Sequence, residues 1–116
     1  MRSFGHALDG LAYLIRTQHN FRIHLAVAVV AVLAGLAFSV SPVEWAILIV
    51  TIALVIMTEA LNTGIELAVT LASPERRPEA KAAKDIAAAG VLLAAIASVG
   101  VGVALFGPRV IALFRP

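Results

Sequence analysis

The chain has 116 residues, of which 61% are hydrophobic and only 14% charged, so it reads as an integral membrane protein whose core is mostly the bilayer. It has no cysteine, which excludes disulfides, zinc–thiolate sites and thiol nucleophiles. The net charge of +2 says little as a total; the distribution of the charges says more.

Residues 3–18 place Phe4, Leu8, Leu11 and Ile15 on one helical face, with Arg2, His6, Asp9, Tyr13 and Arg16 opposite. This is the pattern of an amphipathic helix lying in the headgroup plane. A first membrane helix is expected over about 22–40, with Arg22 and His24 snorkelling to the interface at its start. The long stretch before it, without a small-x-small cleavage site, argues against a cleaved signal peptide. A turn at Ser41-Pro42 leads into a second membrane helix over about 43–71, and a third is expected over about 79–106, ended by Gly107-Pro108. The third carries a small residue at every fourth position, Gly90, Ala94, Ser98 and Gly102, a stripe that suits close helix packing in lipid. The fold class is therefore all-α, with three transmembrane helices and a surface helix in one domain covering 1–116.

Basic residues stand before the first span (Arg2, Arg16, Arg22) and between the second and third (Arg76, Arg77, Lys81, Lys84), with none at Ser41-Pro42. The positive-inside rule puts the N-terminus and the second loop in the cytoplasm of a multi-pass inner (plasma) membrane protein. Arg109 and Arg115 oppose this weakly.

The second helix departs from a plain membrane span at Glu59, Asn62 and Glu66, which fall within an arc of roughly 60° on one face. A carboxylate at bilayer depth costs about 2.5–3.5 kcal/mol on the insertion scale, so acids there point to function. Counting inward from Val43 at 1.5 Å per residue, a core of about 30 Å is used up close to Asn62. The acids thus straddle the cytoplasmic interface, where a lipid headgroup meets a water-soluble partner. Beyond them, the loop Glu75-Arg76-Arg77 leads to Pro78, and Lys81, Lys84 and Asp85 surround the start of the third helix. Cations at a helix N-terminus suit phosphoryl oxygens, and carboxylates suit Mg²⁺. No Walker sequence is present. His6, His19 and His24 have no metal-ligand spacing and read as interfacial residues. Three helices enclose too little space for a large polar ligand, which points to a homo-oligomer with sites between subunits.

Three segments, Asn20-Phe21-Arg22-Ile23-His24, Glu59-Ala60-Leu61-Asn62-Thr63-Gly64-Ile65-Glu66 and Ala83-Lys84-Asp85, resemble the prokaryotic diacylglycerol kinase and undecaprenol kinase family over nearly the whole chain. The resemblance implies a homotrimeric lipid kinase that moves the γ-phosphoryl group of ATP to the primary hydroxyl of a membrane lipid, with Mg²⁺ as cofactor and no nucleic-acid partner. By it, Glu59 is the general base, Asn62 orients the base or the acceptor, and Glu66 holds Mg²⁺. His6, Gln18, Glu66, Glu75, Arg76, Arg77, Lys84 and Asp85 make up the implied nucleotide and metal contacts.

Gln18 stands where the family often has a second metal-holding glutamate, and Thr70 where an acid is often found. The Asn-Phe-Arg-Ile-His segment is more similar to the undecaprenol-using branch than to the diacylglycerol-using one. A non-catalytic membrane module, or a small transporter subunit of the same fold, is the alternative expectation.

Overall fold

Helices account for nearly all of the computed structural model, which describes residues 2–116: α1 (Arg2–Thr17), α2 (His19–Ala37), α3 (Pro42–Ala72) and α4 (Pro78–Leu113), with no strand among the described residues. Each boundary has a local cause.

α1 buries only Leu14 and leaves Phe4, Leu8, Leu11 and Ile15 exposed, an apolar stripe that the chain itself does not cover. A single extended residue, Gln18, separates α1 from α2. Arg22 is exposed. Its guanidinium turns back and donates to the carbonyls of Ile15 (3.0 Å) and Arg16 (3.3 Å), capping the last turn of α1.

α2 starts and stops about three residues earlier than the hydropathy suggests. It ends in a Schellman turn: Ser39 N–H donates to Leu36 and Val40 N–H to Gly35, with Ser39 at φ 52° and Val40 buried. The left-handed position is filled by serine rather than glycine, which hides the stop from a sequence reading. The next helix is started firmly, by a capping box in which Ser41 Oγ accepts from Glu44 N–H and Glu44 Oε1 accepts from Ser41 N–H, with Pro42 in the first turn. Across the turn the Trp45 indole lies on Gly35, so close that a Cβ there would stand 2.7 Å from the ring.

The largest departure is at the end of α4. Gly107-Pro108 was expected to stop the helix, yet it runs through Pro108 to Leu113. Proline removes one backbone donor and crowds the preceding turn. Here the turn after it is tied to α3: Arg109 donates to Glu44 Oε2 (2.7 Å) and Oε1 (2.8 Å), and also to the Leu105 carbonyl. Phe106 packs nearby against Phe38, the C-cap residue of α2, with ring centroids 6.1 Å apart and the planes tilted by 38°.

α3 and α4 form the most extensive packing, α2 lies along α3, and α1 touches mainly α2. The radius of gyration is 17.4 Å, against about 13 Å for a compact chain of this length. The accessible surface of 8300 Å² likewise exceeds the roughly 6000 Å² of a soluble protein of this mass. Three helices are long and apolar enough to cross a membrane, and they do not cover one another. The small-residue stripe of α4 contributes a buried Ala94, but a Cβ at Gly90 or Gly102 would meet nothing, so the chain's own packing does not require those glycines.

Candidate active site

α3 has 31 residues, about 46 Å at 1.5 Å each, and so overshoots a hydrocarbon core of about 30 Å by several turns. That length separates the three polar residues of its face. Glu59 is buried at 5% exposure, Asn62 is half-buried and Glu66 is exposed. Within one protomer they form a graded series from core to water rather than one closed cluster.

Glu59 sits in the buried row Leu48, Val55, Glu59 and Thr63. Its carboxylate meets α2: His24 Nε2 lies 3.0 Å from Glu59 Oε1, with the imidazole itself mostly covered. His24 was read as an interfacial residue and belongs instead to the site. One signal could have found it: His24 and Glu59 stand at nearly equal chain distances on either side of Ser41, so an antiparallel hairpin brings them to the same depth. Phe21, the most deeply buried side chain, lies one turn before His24 on the same helix. The buried Thr63 hydroxyl donates to the Glu59 backbone carbonyl at 3.1 Å and leaves the carboxylate alone. Asn62 Oδ1 is buried without a hydrogen-bond partner, an acceptor that the protomer does not satisfy.

From His24 an apolar groove of about 380 Å³ runs along α2, α3 and α4, past Val27, Thr51, Val55 and Ser98 to Phe106. It ends at His24, the partner of the Glu59 carboxylate.

On the far side of Asn62, Glu75, Arg76 and Arg77 are exposed in the α3–α4 loop, where Ser73 Oγ donates to the Glu75 carbonyl at 3.3 Å. Arg77 is the N-cap residue of α4, and its side chain makes no capping bond. The helix therefore opens on free N–H groups beside Arg76 and Arg77. Lys84 is half-buried two turns further on, and Asp85 is held by Lys81 at 2.6 Å, a pairing absent from the sequence reading. His6 is exposed on α1, away from any recorded partner. Gln18 donates from Nε2 to Thr17 Oγ1 at 3.1 Å, which leaves its amide oxygen available.

A family model described as prokaryotic diacylglycerol kinase matches residues 5–106, which takes in the buried acid, its histidine partner and the loop cations. The chain belongs to this family. It is accordingly a membrane-embedded lipid kinase, built on three apolar helices. Among its relatives, the undecaprenol kinase of Bacillus subtilis is 38% identical over 93% of this chain and 88% of its own length. A diacylglycerol kinase of Synechocystis is 42% identical over 96% of this chain, which spans only 64% of that protein. A diacylglycerol kinase of Pseudomonas aeruginosa is 32% identical over 81% of this chain and 76% of its own.

Members of such a family are expected to use a divalent cation, and the donors here can be compared with that need. Among the described residues no three histidine or acid side chains converge. Mg²⁺, however, takes one or two carboxylates together with phosphate oxygens and water rather than a protein cage. Glu66, an exposed carboxylate with no ion pair among the described residues, fits that mode, and the free amide oxygen of Gln18 can add a neutral ligand.

Proposed function

We propose that this family member is an ATP-dependent kinase that transfers the γ-phosphoryl group to the primary hydroxyl of a membrane lipid, undecaprenol or diacylglycerol, at the cytoplasmic face. The observation that carries the reading is the buried Glu59 carboxylate beside His24 at the end of an apolar groove. A base held at that depth meets a hydroxyl whose hydrocarbon chain lies in lipid, and a hydroxyl is poorly nucleophilic until its proton is removed.

In this reading Glu59 takes the proton from the acceptor hydroxyl. The oxygen forms a bond to the γ-phosphorus as the bond to the bridging oxygen breaks, and ADP leaves with the electron pair. Asn62 Oδ1, the unsatisfied acceptor, orients the hydroxyl or its protonated base. Arg76, Arg77 and Lys84, with His6, Glu75 and Asp85, bind the nucleotide around the open N-terminus of α4. Glu66 and Gln18 hold Mg²⁺, which supplies neutralisation of phosphate charge when bound. Positioning and charge compensation are most of what phosphoryl transfer asks of a protein.

The site is shared in a homotrimer. Support comes from the large uncovered apolar surface, the open space at Gly90 and Gly102, and the unsatisfied Asn62. The cytoplasmic orientation of the N-terminus and the second loop is supported by the basic residues there. Arg109, which counted against it, is neutralised by Glu44. For the acceptor, the relative of which this chain covers 88%, more than of either diacylglycerol kinase, is named for undecaprenol, and we favour that lipid.

The test is initial-rate transfer of label from Mg-ATP to undecaprenol and to diacylglycerol by one purified preparation. Undecaprenol is expected to be phosphorylated faster, and Glu59→Gln is expected to abolish transfer to either while the protein stays folded. No transfer to either lipid by the wild type, together with substrate flux in liposomes, would replace the kinase reading by the transporter-subunit one.

A further inference from the structure

Glu59 is the only buried acid among the described residues, and the restraints on its carboxylate are few. Thr63 binds its backbone carbonyl, and no hydrogen bond joins the Asn62 side chain to the carboxylate among the described residues. Among the described residues, the one side chain recorded on the carboxylate is His24, at Oε1; no contact engages Oε2. The two partners come from different helices. Those helices are pinned together at the far end of the hairpin by the Trp45–Gly35 contact and the Schellman turn. His24 also lines the apolar groove, so the imidazole stands where the groove meets the acid.

We propose that His24 is a positioning residue for Glu59: it holds Oε1 at the head of the groove, so that Oε2 is the oxygen presented to the acceptor hydroxyl. This rests on the lipid-kinase reading with Glu59 as base. A glutamate has three rotatable side-chain bonds, and ordering such a side chain costs up to about 1.5–2 kcal/mol of rotamer entropy. A misplacement of about 1 Å at a reacting group costs on the order of a hundredfold in rate. With one restraint on the base, its loss falls on the chemical step, while nucleotide binding, which uses other residues beyond Asn62, is spared.

The experiment uses the full-length protein in lipid bilayers, with undecaprenol and diacylglycerol as acceptors. His24→Ala is expected to lower kcat by about ten- to a hundredfold, with KM for Mg-ATP within twofold of wild type. His24→Gln, which keeps a polar donor, is expected to regain at least half of the loss on a logarithmic scale, and His24→Leu is not. An active wild type with His24→Ala within twofold in kcat overturns the proposal and leaves the kinase reading standing. So does a Gln variant no better than Leu, because size alone would then explain the effect. A wild type inactive on both lipids removes the kinase reading and the role of His24 with it. Nitrogen resonances of the His24 imidazole are read in parallel, without turnover. They are expected to shift in Glu59→Gln, and an unchanged spectrum overturns the pairing itself.

Discussion

α3 carries three acids, and two of them, Glu44 in its first turn and Glu59 just past its middle, are treated in opposite ways. At the outer end, Glu44 has both oxygens engaged: Arg109 donates to each, and Ser41 N–H adds a third bond. Past the middle of the helix, Glu59 is more deeply buried, yet only Oε1 meets a partner, and the neighbouring Asn62 Oδ1 meets none. A saturated carboxylate can only hold helices together. A buried acceptor left unsatisfied, as Asn62 Oδ1 is, is costly for stability, and it persists where a ligand or a partner completes it. In the reading proposed above, the Glu44 end of the hairpin is scaffold and the Glu59 level carries the chemistry.

The strongest way to break that contrast is to remove each acid in turn. Glu59→Gln is expected to lower transfer by at least 10²–10⁴-fold in an initial-rate assay. Glu44→Gln should leave kcat within twofold while lowering the thermal unfolding midpoint; an equal loss of rate in the two variants would erase the distinction. The next effect in size concerns the proposed metal: Glu66→Gln is expected to raise the Mg²⁺ concentration for half-maximal rate roughly tenfold or more, measured by metal titration at saturating ATP. A titration curve that does not move would take Glu66 out of the metal site.

Smaller changes sharpen the scaffold side. Gly35→Ala pushes a methyl into the Trp45 ring and is expected to destabilise by about 1–3 kcal/mol in denaturant unfolding. Ser39→Gly relieves a left-handed backbone position and is expected to stabilise by about 0.5–1 kcal/mol without touching the rate. A fall in stability for Ser39→Gly would mean that the hydroxyl, and not the backbone conformation, holds the turn.

Much of this architecture is legible in the residues alone, because a membrane span is a local property. An apolar run long enough to cross the bilayer must form a helix to satisfy its backbone, whatever surrounds it. The surface helix, the three spans and the anomalous face of Glu59, Asn62 and Glu66 all follow from composition and period. Local chemistry that resembles its usual form is legible too, as with Pro78 opening α4. What stays hidden is local chemistry in unusual dress, such as the serine-filled Schellman turn at Ser39, and every feature that depends on a partner distant in the chain.

Those distant pairings are where the tertiary structure decided. Pro108 marks a helix end by its own geometry, yet the helix continues where Arg109 reaches Glu44 on α3. Arg22 and His24 read alike as interfacial residues near the start of a span. One caps α1, and the other faces the buried acid. The sequence by itself determined that the chain lives in a membrane and that one helix face carries acids beyond the apolar run of its span, since hydropathy and helical period act within a segment. Only the packing of α2 against α3 decided which acid is buried and which side chain holds it, because that depends on the depth at which two antiparallel helices meet.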